Sequence, residues 1–220
     1  MQRLLLSALL VAGALTTACN QDDDDTAAPA GNGGGGGGGT TTITAATVES
    51  ATYTVDGVAR THTSGSGNAA IIFSNSGSSG SPTSTKTYGC TFYDEATDET
   101  YIEFSLGQFE QAGFGIPADD VFFGWFNTGE IPYATAGGQF DKAEIHMYDG
   151  APLFTEWSSR CGAQDGESFN VTQIVEIPNS ITYDRVKYRV TFSCKLYNCS
   201  GSAVRTITNG TAVVTVENNV

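Results

Sequence analysis

The chain has 220 residues and a formal net charge of −14, because 24 acidic residues oppose ten lysines and arginines. A field of that sign disfavours nucleic-acid binding and direct adsorption to anionic lipid. No segment after the N-terminal region approaches 18 uninterrupted apolar residues, which excludes a transmembrane helix there.

The first predicted element is a signal peptide over residues 1–18. Arg3 supplies a positive charge, residues 4–15 form a mostly apolar run, and small residues follow at 16–18. The apolar run is too short to cross a hydrocarbon core about 30 Å thick as a helix. It therefore indicates export rather than membrane spanning.

The segment Leu15-Thr16-Thr17-Ala18-Cys19 resembles a lipobox, the motif in which the cysteine is lipidated and becomes the mature N-terminus. The leucine of the usual motif stands three positions before the cysteine, where this chain has Thr16. Ordinary cleavage that leaves a free thiol at Cys19 is the alternative. Lipidation leaves four of the five cysteines, an even number that suits two disulfides in an oxidising compartment.

Residues 19–42 are predicted to be a disordered tether. The four aspartates at 22–25 resemble the acidic export signal of bacterial surface lipoproteins, and glycine fills positions 33–39. Such a composition cannot bury apolar surface. We expect an outer-membrane lipoprotein on the cell surface, held to the membrane through the lipid on Cys19; the alternative is that the acidic run is only a solvated linker.

Residues 43–220 are predicted to form a single all-β domain. Short β-rich runs alternate with Gly, Asn, Asp, Ser and Pro, and helical spacing never extends beyond about two turns. The pattern predicts a two-sheet antiparallel β-sandwich, jelly-roll-like or immunoglobulin-like, with about 10 to 12 strands. The predicted strands are 47–55, 58–63, 69–74, 86–93, 101–106, 121–126, 139–148, 153–158, 169–177, 186–197, 204–208 and 211–216.

Two connections are predicted from turn chemistry. Asn209-Gly210 separates two β-rich runs, and both residues tolerate a positive φ, which favours a two-residue type I′ hairpin. The serine-rich segment 74–85 is predicted to be a surface loop.

The remaining cysteines are predicted to form two disulfides. If residues 169–177 pair antiparallel with 186–197, the hairpin register brings Cys161 close to Cys199. Alternation turns Cys90 and Cys194 inward, where they could bridge the facing sheets. The alternative bridge between Cys194 and Cys199 needs a sharp bend, because five residues of strand span roughly 16 Å.

Several stretches resemble bacterial outer-membrane surface lipoproteins of unknown function with a C-terminal all-β domain that ends in an Asn-Gly hairpin. The match comprises Tyr53-Thr54-Val55-Asp56-Gly57, Val190-Thr191-Phe192-Ser193-Cys194, Asn198-Cys199-Ser200-Gly201 and Ile207-Thr208-Asn209-Gly210. Residues from about 75 to 165 have no counterpart in it. The resemblance implies a fold and a location at the cell surface, and it assigns no catalytic residue.

No catalytic constellation is recognisable. His62 and His146 lie in strand-like patterns without a nucleophile elbow, and the cysteines lack the paired spacing of a zinc site. We therefore predict no enzymatic activity and no cofactor. Calcium is the alternative, with hard oxygen ligands at Asp94, Asp98 and Glu99, helped by Glu95, and a second acidic pair at Asp119 and Asp120.

The aromatic-rich middle of the domain carries the functional prediction. Trp125, Trp157 and Tyr133 are candidate ligand-binding residues, because planar rings stack on sugar faces; the alternative is that they belong to the core. We predict a non-enzymatic surface lipoprotein that binds a glycan or a partner protein. The alternatives are a structural or assembly subunit of a cell-envelope complex and a secreted hydrolase.

Overall fold

Alternating apolar and polar residues form a long central strand, Arg185–Tyr197. The structure is a computed structural model that describes residues 41–65, 68–80, 83–94, 100–135, 141–149, 155–179 and 181–219. Cys19 and the predicted signal peptide lie outside the described residues. The described elements are β1 (Ser50–Val55), β2 (Val58–Thr63), β3 (Asn68–Gly80), β4 (Thr83–Asp94), β5 (Thr100–Ala112), α1 (Asp119–Gly124), β6 (Gly129–Glu130), β7 (Ala143–Asp149), β8 (Thr155–Ser158), a 3-10 turn (Ser159–Cys161), β9 (Ser168–Ile177), β10 (Arg185–Tyr197) and β11 (Val204–Glu217).

The strands form two facing antiparallel layers, as predicted. One layer has the order β2-β1-β11-β10-β9-β6, and the other has the order β3-β4-β5-β7-β8. The layers join at one corner, where Tyr197 of β10 pairs with Ser158 of β8. The register of β9 with β10, in which Ile177 lies opposite Arg185, is also the predicted one.

Large aromatic side chains fill the space between the layers. Phe104 of β5 meets Phe192 of β10 edge to face, with ring centroids 5.0 Å apart. Phe126 lies between Tyr88 of β4 and Tyr188 of β10, at 6.0 and 6.5 Å. All five rings are nearly inaccessible to water, and each contributes roughly 1.5 to 3 kcal/mol by burial.

The tight turn between β1 and β2 is made by Asp56 and Gly57, with φ angles of +48° and +84°. Two positive φ angles in a two-residue hairpin match the right-handed twist of the strands. Asp56 is further held by Arg205, whose Nε donates to Asp56 Oδ2 at 2.7 Å. The predicted strands on either side of this turn are confirmed.

The predicted hairpin at Asn209-Gly210 is wrong. Both residues lie inside the continuous strand β11, between β1 and β10, where the register shifts on both neighbours. Asn209 has a φ of +54°, so its tolerance of the left-handed region makes a β-bulge instead of a turn. Gly210 lies under the Phe192 ring, which leaves no space for a side chain.

Two other predicted elements also differ. Residues 121–126, predicted as a strand, lie in helix α1 and the turn after it. Phe122 of the helix and Phe126 beyond its end are both buried in the core. Most of the serine-rich segment 74–85, predicted as a loop, continues β3 to Gly80 and begins β4 at Thr83. Backbone pairing of β4 with both β3 and β5 continues through this stretch, so it is part of the sheet.

One of the two predicted disulfides is present. Cys161 and Cys199 are bonded, with Cα atoms 5.3 Å apart, which also excludes the alternative bridge from Cys194 to Cys199. Cys90 and Cys194 are buried free thiols, so their predicted bridge is wrong. They lie at different places in the core: the electrostatic neighbours of Cys90 include Tyr188, whereas Cys194 lies beside Tyr133.

Candidate binding cavity between the two layers

Residues 125–135 and 141–142, between α1 and β7, lie along one side of the sandwich. The backbone N–H of Ile131 donates to Phe169 O of β9 at 2.8 Å. The N–H of Ala134 donates to Ala143 O of β7 at 3.0 Å, and these strands belong to opposite layers. We call this hydrogen-bonded stretch the seam.

A cavity of about 380 Å³ lies at the seam. Its size is within the range of small-molecule sites. We call it the seam cavity; its lining comprises Leu106, Gly107 and Phe109 of β5, residues 124–132, Asp141, Lys142, Val171 and Ile174 of β9, and Tyr188 of β10.

One wall of the seam cavity is aromatic. Helix α1 ends at Gly124, and its next residue, Trp125, lies parallel to Phe109 with ring centroids 5.0 Å apart. The next residue, Phe126, is buried in the core, and its ring centroid is 5.6 Å from that of Phe109. The indole of Trp125 is half-buried, so part of it faces the cavity.

Hydrogen-bonding groups surround this aromatic wall. Asn127, Thr128, Glu130 and Asp141 are exposed residues of the cavity lining, and Lys142 is half-buried there. They offer amide, hydroxyl, carboxylate and ammonium groups within one opening. An aromatic wall combined with a few polar groups is the composition by which cavities orient small ligands.

The backbone at the cavity needs particular residues. The N–H of Gly107 donates to Lys142 O at 2.5 Å, and a Cβ at position 107 would collide with the Lys142 backbone. Gly129 has a φ of +129°, a region that L residues rarely adopt. Gly107 therefore allows β5 to approach Lys142 closely, and Gly129 allows the backbone conformation at that point of the cavity wall.

Tyr188 contributes to the cavity lining from the core face of β10. Its side chain is fully buried, and burial raises the pKa of its phenol well above the ordinary value. Within the described residues, its hydroxyl has no hydrogen-bond partner. Tyr188 is therefore a neutral phenol whose hydroxyl is enclosed in the core.

The structure does not bring the three predicted ligand-binding residues together. Trp125 lies in the cavity wall. Tyr133 is a core residue, whose hydroxyl donates to Ser193 O at 2.8 Å. Trp157 packs against the core, with the Arg205 guanidinium 5.4 Å from its ring centroid.

The predicted calcium ligands are not described as a group. Asp98, Glu99 and Glu95 lie outside the described residues, and Asp94 is described only as the last residue of β4. In the described ranges no group of three or more His, Cys, Asp or Glu side chains is arranged to hold a metal ion. The described helix is also far too short to cross a membrane.

A second polar cluster lies on the outer face of β5, β7 and β8. His146 Nε2 donates to Glu144 Oε2 at 3.0 Å, and its Nδ1 is 3.3 Å from Glu156 Oε1. Glu103 faces His146 across the β5–β7 pair. Burial raises the pKa of the Glu103 carboxyl, and the nearby His146 opposes that rise.

The electrostatics of this cluster favour a charged His146. Burial alone would lower the pKa of His146, but the hydrogen bond to Glu144 and the charge of Glu103 raise it above the ordinary value. Arg160 is 3.5 Å from Glu144 and is partly exposed. The arrangement is that of an ion-paired network that joins neighbouring strands.

Sequence reasoning missed most of the cavity residues. Tyr188 has the same alternation as its core neighbours in β10, and nothing in the sequence distinguishes a tyrosine whose hydroxyl is unpaired. Glu130, Asp141 and Lys142 are scattered polar residues in irregular backbone. Of the cavity residues, Trp125 could be predicted, because it lies in a run of aromatic residues.

Comparison of the chain with protein-family models, with curated proteins and with solved structures found no match.

Proposed function

We propose that the chain is a surface-exposed lipoprotein whose seam cavity binds a neutral glycan unit without chemical conversion. The observation that carries the proposal is the combination of the Trp125 indole with an opening rich in hydrogen-bonding groups. Sugars present C–H groups on one face and hydroxyls at the edge, so they match an aromatic wall with a polar surround.

Charge supports a neutral ligand. The chain has a net charge of −14, and Glu130 and Asp141 lie at the cavity beside a single cation, Lys142. Negative potential at the opening repels uronic and sialic acids. Neutral hexoses and N-acetylated hexosamines escape that penalty.

A glycan array and a polysaccharide pull-down with the purified protein test this proposal. We expect retention of one class of neutral glycan, and loss of retention in Trp125→Ala. Trp157→Ala is the matched control, because Trp157 lies outside the cavity lining and should leave binding intact. Failure on all glycans, or equal loss in both variants, would contradict the proposal.

A reducing-sugar assay on the same glycans distinguishes binding from hydrolysis. The proposal expects no release of reducing sugar from any retained polysaccharide. Release that disappears in Glu130→Gln or Asp141→Asn would identify a secreted hydrolase instead, because both carboxylates lie at the cavity.

The surface location is part of the proposal and rests on the lipobox-like segment, the acidic run and the resemblance to surface lipoproteins. In a Gram-negative host, metabolic labelling with a fatty acid should mark the wild-type chain and not Cys19→Ser. Protease applied to intact cells should cleave the wild-type protein. An unlabelled wild-type chain, or one protected from protease, would contradict this location.

An assembly subunit is the second candidate, favoured by exposed apolar side chains at one end of the sandwich. Phe114 is 66% exposed and Ile181 is 91% exposed. Their loops are tied together by Asn218, whose N–H donates to Asp184 O and whose Nδ2 donates to Pro117 O. A co-purifying envelope protein that is released by Ile181→Asp, and not by Val58→Asp on β2, would support this role; a monomer that co-purifies with nothing would count against it.

A further inference from the structure

The side chains that line the seam cavity differ in character with depth. The hydrogen-bonding side chains of its opening are exposed, apart from the half-buried Lys142. The more enclosed members are apolar: Trp125, Ile131 and Ile174 are half-buried, and Phe109 is buried. Exposure therefore sorts the lining into a polar opening and an apolar interior.

Three apolar side chains of this interior keep surface that a ligand can contact. Trp125, Ile131 and Ile174 all belong to the lining, and all three pack against the core while they remain partly accessible. The backbone N–H of Ile131 donates to Phe169 O, and Ile174 lies opposite Tyr188 in the β9–β10 pair. We call Trp125, Ile131 and Ile174 the cavity floor.

The cavity floor restricts which group of a ligand can lie on it. A sugar hydroxyl that reaches Ile131 and Ile174 loses its water, and these side chains offer no hydrogen bond in exchange. The hydroxyl of Tyr188 offers none either, because it is enclosed in the core. A buried hydroxyl without a partner costs free energy, whereas a buried methyl group gains it. The hydroxyls of a ligand are better satisfied at the polar opening.

We infer that the cavity floor selects a neutral sugar that carries a methyl group, as an acetamido or a deoxy sugar does, over the corresponding sugar without it. The inference rests on the proposed glycan binding and deepens it by naming the ligand class. Ile131 and Ile174 contact the methyl group, and the Trp125 indole contacts the C–H face of the sugar ring. The hydroxyls of the sugar stay at the polar opening.

Calorimetric titrations of the purified protein with two matched pairs of sugars test the inference. N-acetylglucosamine differs from N-formylglucosamine by one methyl group, and fucose carries a methyl group where galactose of the same configuration carries a hydroxymethyl group. In at least one pair, the methyl-bearing sugar should have a Kd about fourfold lower or more, the ratio that corresponds to one buried methyl-sized group. The pair that responds identifies the substituent.

Ile174→Thr is the variant that tests the cavity floor, with Val175→Thr as the matched control. Both substitutions introduce a hydroxyl at adjacent β-branched residues of β9, but Val175 lies opposite Lys187 and outside the cavity lining. Ile174→Thr should reduce the preference for the methyl-bearing sugar to less than about twofold, and Val175→Thr should leave it unchanged. Ile131→Thr repeats the test from the seam, and the unfolding temperature of each variant shows whether it is folded.

Equal Kd values within both pairs, or tighter binding of the sugars without the methyl group, would overturn the inference, and loss of binding in Trp125→Ala would then leave glycan binding standing. A preference that persists in Ile174→Thr and Ile131→Thr, or that Val175→Thr lowers equally, would overturn the role of the cavity floor. If none of the four sugars binds while a glycan retained on the array still does, the inference fails alone. Failure on the array as well would overturn both proposals.

Discussion

The indole of Trp125 lies parallel to the phenyl ring of Phe109, with ring centroids 5.0 Å apart and planes 8° apart. Phe109 belongs to β5, and Trp125 directly follows α1. The stacking therefore fixes the orientation of an indole that stands on irregular backbone. A binding surface on a loop needs such support from a rigid strand.

Phe109→Leu should weaken binding through Trp125. Leucine keeps the site apolar but removes the stacked ring, so we expect a several-fold higher Kd for the array-selected saccharide and a stability loss of about 1 to 2 kcal/mol. Calorimetry measures the first and urea denaturation the second. Phe92→Leu is the control, because Phe92 contacts His62 and Phe104 away from the cavity. If both variants bind equally well, Phe109 does not position the indole.

Cys199→Ser should lower the free energy of unfolding by about 4 kcal/mol. The Cys161–Cys199 bond joins residues 38 apart, and cross-linking a loop of that length stabilises by about this amount on the chain-entropy model. Urea denaturation under non-reducing conditions measures the change. The same loss is expected in wild-type protein treated with reductant, and Cys199→Ser should show no further loss on reduction.

Thiol titration checks the other two buried cysteines. Burial raises the pKa of the Cys90 thiol to about 12 and that of Cys194 higher still, so neither should react in the folded protein at neutral pH. Both should react once the protein is unfolded in denaturant without reductant. If neither reacts there, Cys90 and Cys194 are bridged, which would contradict their assignment as free thiols.

Gly210→Ala should destabilise the fold by about 1 to 3 kcal/mol, as overpacking does in a filled core. Its Cβ would lie 2.5 Å from the Phe192 ring, which itself packs against Phe104. The unfolding temperature of the variant measures the effect. Asn209→Gly, at a φ of +54°, is the companion change and should cost little because glycine accepts this conformation. If Gly210→Ala unfolds at the same temperature as the wild type, the close packing of Gly210 against Phe192 at the bulge is contradicted.

The bulge at 209–210 illustrates how far the sequence could predict this fold. Alternation identified most strands and the β9–β10 register, because one buried face imposes a period of two. Turn chemistry predicted a hairpin at Asn209-Gly210 wrongly, since a positive φ serves a hairpin turn, as at Asp56-Gly57, and a bulge equally well. Only the long-range pairing of β11 with both β1 and β10 decides between them.

The candidate site was less predictable than the fold. Trp125, Trp157 and Tyr133 are alike as aromatic residues in the middle of the chain, and only tertiary packing places one in the cavity wall, one against Arg205 and one in the core. The bridge between Cys90 and Cys194 was predicted from their inward direction alone. Direction within a strand does not say which part of the facing layer a side chain meets.

His146 should make stability depend on pH. Its folded-state pKa is raised by Glu144 and Glu103, so its ion pairing stabilises the fold below pH 6.5 and is lost as the pH rises through that raised pKa. The stability gap between wild type and His146→Gln, measured by urea denaturation, should therefore be larger at acidic than at alkaline pH. Glu144→Gln should shrink this pH dependence. A gap that grows toward alkaline pH would contradict the assignment.

The central claim is that the seam cavity, and within it Trp125, receives the ligand. The two tryptophans give two indole N–H signals in a ¹⁵N-correlated NMR spectrum, assigned by Trp125→Phe and Trp157→Phe. On titration with the array-selected neutral saccharide, the Trp125 signal should shift saturably while the Trp157 signal stays in place. Movement of Trp157 alone, or of neither signal while the saccharide demonstrably binds, would contradict the claim.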